Sequence, residues 1–163
     1  MAEGHFTLTT FYTSWEAYQE RLKAALAPLT AEQLARRAAP GLRSIGENAA
    51  HIIGCRVGWF TDTLGEDASA DVTAVRWDEP GGPARSATEL VRGLDLTWQL
   101  MADCLTRWSP ADMQQTFPDD WDGEQVQLSR AWIVWHVLEH DLHHGGEVSL
   151  TLGIHGLQAG FTS

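Results

Sequence analysis

The chain has 163 residues, 44% of them apolar, and a formal net charge of −11. That length suffices for a single domain with a real core, spanning residues 1–163. One lysine, Lys23, and ten scattered arginines argue against nucleic acid or an anionic membrane surface as partner, since both need clustered positive charge.

Helix starts are well signalled. Thr13-Ser-Trp-Glu16 has the S/T-x-x-E form in which a hydroxyl and a carboxylate satisfy backbone donors reciprocally. It opens a helix running to Pro28, with Trp15, Tyr18, Leu22 and Leu26 on one side. A short helical turn follows over Thr30 to Arg37. Ser44-Ile-Gly-Glu47 repeats the form and opens a second helix, ending near Leu64 before Gly65. Val72 to Trp77 fits a short extended piece, although no strand pattern is convincing. Ser86-Ala-Thr-Glu89 opens a third helix, ending near Trp108 before Ser109-Pro110.

The fourth helix begins near Ser129 and carries Trp132, Trp135, Leu138 and Leu142 on one side. Gly145-Gly146 would ordinarily stop it. The apolar pattern resumes over Glu147 to Leu152, before Gly153, so the helix is expected to pass through the glycines, at a cost of about 1 kcal/mol per glycine relative to alanine. Four long amphipathic helices imply an all-α fold, a four-helix bundle, in which sites form from side chains on facing helices.

Met1 to Thr7 contains no basic stretch followed by an apolar one, so no signal peptide is expected. No apolar run approaches the roughly 18 residues of a spanning helix. Cys55 and Cys104 form no C-x-x-C motif and read as buried free thiols. A cytoplasmic location follows.

Four of the seven histidines fall in one stretch, His136-Val-Leu-Glu-His140-Asp-Leu-His143-His144. On a helix, His136, His140, His143, His144 and Glu147 share an arc of about 100°, distinct from that of Trp135, Leu138 and Leu142. Flanking Ile133 and Val137 suggest partial burial. Buried imidazoles cannot all be charged, whereas a metal ion uses them neutral. His136/His140 and His140/His144 have the same four-residue spacing, and either pair supplies two ligands. A catalytic ion needs a third and an open position. His51, mid-helix among apolar neighbours, is the best candidate; His155 and His5 are weaker. The stretch also fits H-x-x-E-H, and H-E-x-x-H with Asp141 for Glu, but the chain after His140 is too short for the first and the shorter Asp suits the second poorly. A metal-dependent hydrolase is therefore a minor alternative.

Trp135-His-Val-Leu-Glu-His140-Asp-Leu-His-His144-Gly-Gly-Glu147 and Ser44-Ile-Gly-Glu-Asn-Ala-Ala-His51-Ile, the latter followed by Trp59-Phe60, resemble the two signatures of the DinB/YfiT-like family. The resemblance implies a four-helix bundle of that type, commonly a homodimer. It implies one divalent ion, zinc or nickel foremost, on His51, His140 and His144. It further implies a low-molecular-weight thiol cosubstrate, of the bacillithiol or mycothiol type, attacking an electrophile in an S-transferase or related reaction. Many members carry a basic residue where this chain has Gly145.

Coordination to a divalent ion deprotonates a thiol whose free pKa is about 8.5. Glu147 or Glu139 is expected to orient a ligand ring. Glu47, His136, His143 and Trp59 are further pocket candidates, and Trp77 and Trp121 suit a pocket mouth. Trp15, Trp98, Trp132 and Trp135 read as core. The alternative function is a non-catalytic bundle that binds a metal or small ligand.

Overall fold

A computed structural model describes residues 12–79, 81–121 and 123–158. Among the described residues six α-helices occur in order: α1 (Thr13–Leu26), α2 (Ala31–Leu34), α3 (Ile45–Val57), α4 (Ala70–Thr73), α5 (Ala87–Arg107) and α6 (Arg130–Ile154). The four long ones, α1, α3, α5 and α6, pack on one another around the core, with α3 against both α5 and α6. Among the described residues no helix is long and apolar enough to cross a membrane.

The boxes at Ser44 and Ser86 form as expected. Each hydroxyl accepts from the N–H three residues on, and Glu47 and Glu89 accept in return from the serine N–H. The box at Thr13 does not form. The carbonyl of Tyr12 already accepts from Trp15 and Glu16, which draws Thr13 inside the helix. A box not singled out in the sequence, Thr30 with Gln33, caps α2 instead. Beyond α3 the chain widens into a π-helical turn, Gly58–Thr63, before Gly65 reverses it with φ 68°. Helix α6 runs through Gly145-Gly146 and past Gly153. It stops at the left-handed Gly156, φ 67°.

Two segments differ from expectation. Val72 is helical, because the Ser69 hydroxyl accepts from its N–H and starts the single turn of α4. And the fold is not purely helical. Strands β1 (Thr116–Trp121) and β2 (Glu124–Ser129) form an antiparallel pair, with Thr116 opposite Ser129 and Trp121 opposite Glu124. The sequence after Trp121 reads Asp-Gly, a favoured hairpin pair, and Gly123 has φ 82°.

The core has two apolar clusters. One gathers Leu22, Leu26, Ile52, Ile53, Leu90, Leu94, Val148 and Leu152; the other gathers Trp15, Phe60, Met101, Leu105, Trp108, Ile133, Val134 and Val137. Between them lies a buried polar layer with one residue from each long helix: Gln19, Arg56, Thr97 and Asp141, all 0% exposed. Arg56 donates to Asp141 through Nε at 3.1 Å and Nη2 at 2.6 Å, and through Nη1 to Gln19 at 2.9 Å and to Thr97 at 3.4 Å. Trp15 Nε1 donates to the same carboxylate at 2.7 Å.

That layer overturns one core assignment. Helix α6 buries Val134, Val137, Asp141, Gly145 and Val148, an arc of small and β-branched residues centred on a charge. Trp135 and Leu142 lie off that arc and turn outward, 58% and 45% exposed. Trp15 is buried as expected, and Trp98 and Trp132 are half-buried.

Candidate metal centre

His140 and His144 are one turn apart on α6, facing α3, which brings His51 to them. Their ring centroids stand 4.4 Å apart, and each lies 4.6 Å from that of His51. One nitrogen from each of the three rings lies within 4.8 Å of the others. The structure thus brings together the three residues expected as ligands.

Two carboxylates fix two of the rings. His51 Nδ1 donates to Asp78 Oδ1 at 2.5 Å, and His144 Nδ1 donates to Glu147 Oε2 at 2.8 Å. With those protons on Nδ1, Nε2 is left as the nitrogen of each ring that can serve as a ligand. Carboxylates behind ligand imidazoles commonly orient them in this way. Asp78 reaches His51 because Gly54, one turn on along α3, has no side chain. A Cβ there would stand 2.7 Å from that of Asp78.

His140 differs. Its Nε2 lies 2.9 Å from His51 Nε2, and its Nδ1 is buried with no hydrogen-bond partner. Burial, and then the charges of His144, His51, His136 and Arg43, push its pKa down to about 3. Burial also lowers that of His144, against the opposing hydrogen bond from Glu147. Glu147 itself sits below the usual carboxylate range: burial pushes it up, but the His144 hydrogen bond and nearby positive charges outweigh that. Three imidazole nitrogens within 4.8 Å of one another and one buried polar nitrogen unsatisfied make a donor set that fits a divalent first-row ion.

The other candidates lie around this centre. His136 stacks on Trp132 (5.0 Å between centroids, 9° between planes) and meets the edge of Trp59 at 5.0 Å. Burial lowers its pKa, opposed by Glu139 at 3.5 Å. Glu139 is exposed and pairs with His136 rather than with a ligand ring. His143 is exposed, with Glu147 at 3.5 Å. Together with His144 and Glu147 it forms a second cluster of ligand spacing, sharing both residues with the arrangement above. Glu47 caps α3 and holds Arg37 at 2.6 Å, one turn from His51. His155 donates to the Arg37 carbonyl, away from the centre. Trp77 lines the adjoining cleft. His5 and the side chain of Trp121 lie outside the described residues.

Asp78 and Arg56 carried no sequence signal: one is a loop carboxylate among many acidic residues, the other one of ten arginines. Gly145, the departure from the family signature, has a local cause. A Cβ there would stand 1.9 Å from the Tyr18 hydroxyl, which lies 3.4 Å from the Asp141 carbonyl. The phenol takes the room a side chain at 145 would need.

A family model described as the DinB superfamily matches residues 14–148. No curated protein matches. Among solved structures, a DinB-like protein from Bacillus cereus ATCC 10987 is similar at 21% identity, with a TM-score of 0.73, covering 95% of this chain and 97% of that one. At that identity the likeness speaks to the fold.

Proposed function

The chain belongs to the DinB superfamily, and from that membership we propose that it is a divalent-metal-binding enzyme activating a low-molecular-weight thiol for attack on an electrophile. The convergence of His51, His140 and His144, two of them backed by carboxylates, carries this reading. Within that family it is read as a four-helix bundle. A divalent ion held by the three nitrogens, zinc or nickel foremost, would supply charge that favours thiolate over thiol.

The chain's own residues support an external thiol. Burial pushes the Cys55 thiol up, helped by Asp141 and Asp78, and pushes Cys104 up to about 12. Raised in this way, neither is primed as a nucleophile, which favours a thiol brought by a cosubstrate. His136, one turn before His140, Trp132 one turn earlier and Trp59 of the π-helical turn form an aromatic wall. Glu147 and Asp78 keep His144 and His51 in the tautomer that presents Nε2.

The exposed side of α6 supports a homodimer. Trp135, Leu142, Leu150 and Ile154 are all exposed there, within about a third of the helix circumference. Sedimentation of the wild type against Trp135→Glu tests this: a dimer that becomes a monomer supports it, and no change refutes it.

The central test is elemental analysis of protein purified without a His-tag, for wild type and for His51→Ala, His140→Ala and His144→Ala. Stoichiometric metal in the wild type and its loss in each variant is expected. Metal retained with all three replaced refutes the site. Metal-loaded protein is then incubated with monochlorobimane and several biological thiols. No acceleration with any of them would favour a non-catalytic binding bundle.

A further inference from the structure

Beside the histidines the chain concentrates positive charge. A cleft of about 500 Å³ opens between α2, the first turns of α3 and the segment around Trp77 to Arg85, and His51 is part of its wall. Four of the ten arginines line it, Arg37, Arg43, Arg76 and Arg85, against three carboxylates, Glu47, Asp78 and Glu79. In a chain of net charge −11, this lining carries one arginine more than it has carboxylates. The first turn of α3, the positive end of that helix, also faces the cleft.

Two of the arginines are already engaged. Arg37 grips both oxygens of Glu47 at 2.6 Å, and Arg76 grips Asp62 at 2.5 and 2.6 Å. Asp78 is taken by His51. The other two are held more loosely. Arg85 lies 4.6 Å over the Trp77 ring and pairs with exposed Glu89 only at 3.7 Å. Arg43 is exposed, and among the described residues no carboxylate pairs with it. Its charge acts on His140 and Glu147, so the cleft and the histidine centre share one electrostatic neighbourhood. Trp77 itself is seated against Gly93, where a Cβ would stand 3.0 Å from its ring.

We propose that this cleft binds a small carboxylate-bearing molecule, its carboxylate on Arg43 and Arg85 and its apolar body against Trp77 and Leu34. A guanidinium grips a carboxylate in a planar fork, and a stacked one loses little freedom in doing so. The far end of such a molecule would come to His51. The proposal names the substrate class for the site described above and to that extent rests on that reading; anion binding itself needs no metal.

The test is calorimetric titration of the full chain with benzoate and succinate, each against its uncharged amide, on metal-loaded and EDTA-stripped protein. At least one carboxylate is expected to bind where its amide does not, in both preparations. Arg43→Gln and Arg85→Gln should each weaken it about tenfold, the loss of one charge-assisted pair. Arg92→Gln, which removes an arginine paired with Asp71 outside the cleft, should leave it unchanged. Thermal melts show whether each variant folds. The proposal is overturned if neither carboxylate outbinds its amide, or if Arg92→Gln weakens binding as much as Arg43→Gln. It also fails if binding vanishes with EDTA, because the anion would then sit on the metal. Carboxylate binding that persists in His140→Ala upholds the cleft even where the metal assignment fails.

Discussion

Arg56 and Asp141 meet at the centre of the protein, both 0% exposed, with Nη2 2.6 Å from Oδ2. Two buried charges so placed satisfy each other, but either one alone would be stranded in a medium that solvates it poorly. Asp141→Ala should therefore destabilise the fold by about 3–5 kcal/mol. Replacing both, as Arg56→Met with Asp141→Leu, should cost less than Asp141→Ala alone. Urea denaturation of the three proteins measures this. A double variant less stable than the single one would show that Gln19, Thr97 and Trp15 need the pair more than the pair needs itself.

Asp78 reaches the candidate metal centre through its hydrogen bond with His51. Asp78→Asn should lower metal affinity about 10–100-fold while leaving the fold intact. Gly54→Ala should do the same from a distance, because its Cβ collides with Asp78 and drives the carboxylate off the ring. Competition with a chromophoric chelator reads both, and affinities equal to wild type would remove Asp78 from the site.

Gly145→Ala puts a methyl group 1.9 Å from the Tyr18 hydroxyl and 2.8 Å from its Cζ. Overpacking of this kind costs about 1–3 kcal/mol. In a Tyr18→Phe background the penalty should shrink without vanishing, since the ring carbons remain. Thermal melts of the four proteins in this cycle decide it. Equal penalties in both backgrounds would mean that the hydroxyl is not the obstacle.

Tyr18 supplies the pH dependence. Burial, with the Asp141 charge beside it, raises its pKa from the usual 10.0 to about 12, and burial raises Tyr12 as well. A raised folded-state pKa means that the stabilisation is complete below pH 10 and is lost as pH climbs toward 12. Phenolate absorbance in Tyr12→Phe should therefore appear late, accompanied by falling stability. Half-ionisation near pH 10 would place Tyr18 in water.

Most of the helical frame was legible because caps and periodicity are local. Ser44, Ser86 and Ser129 cap their helices where the sequence says, and the ladder His140 and His144 is a spacing that any helix displays. His51 was legible because an imidazole among apolar neighbours needs a partner. What escaped was tertiary. Asp78 is 27 residues from His51 and reaches it only because Gly54 is bare. The outward turn of Trp135 was hidden because a charged residue, Asp141, centres the buried arc, and hydropathy places such a residue outside. The hairpin did leave a trace, with Val126 and Leu128 alternating with Gln125 and Gln127 after Asp-Gly, but its strands are short and largely exposed.

The layer of Gln19, Arg56, Thr97 and Asp141 has a further effect, on alignment. Aliphatic packing alone would tolerate a helix slid along its axis, since such side chains replace one another at modest cost. The polar layer would not. Sliding α6 by one turn sets Val137 or Gly145 against the Arg56 guanidinium and leaves a bare charge in the interior. His140 is the neighbour of Asp141, so the same latch sets the height at which two imidazoles stand opposite His51. By this logic the Arg56→Met, Asp141→Leu protein would stay folded yet hold metal less tightly, its histidines no longer indexed by a pair that never touches them.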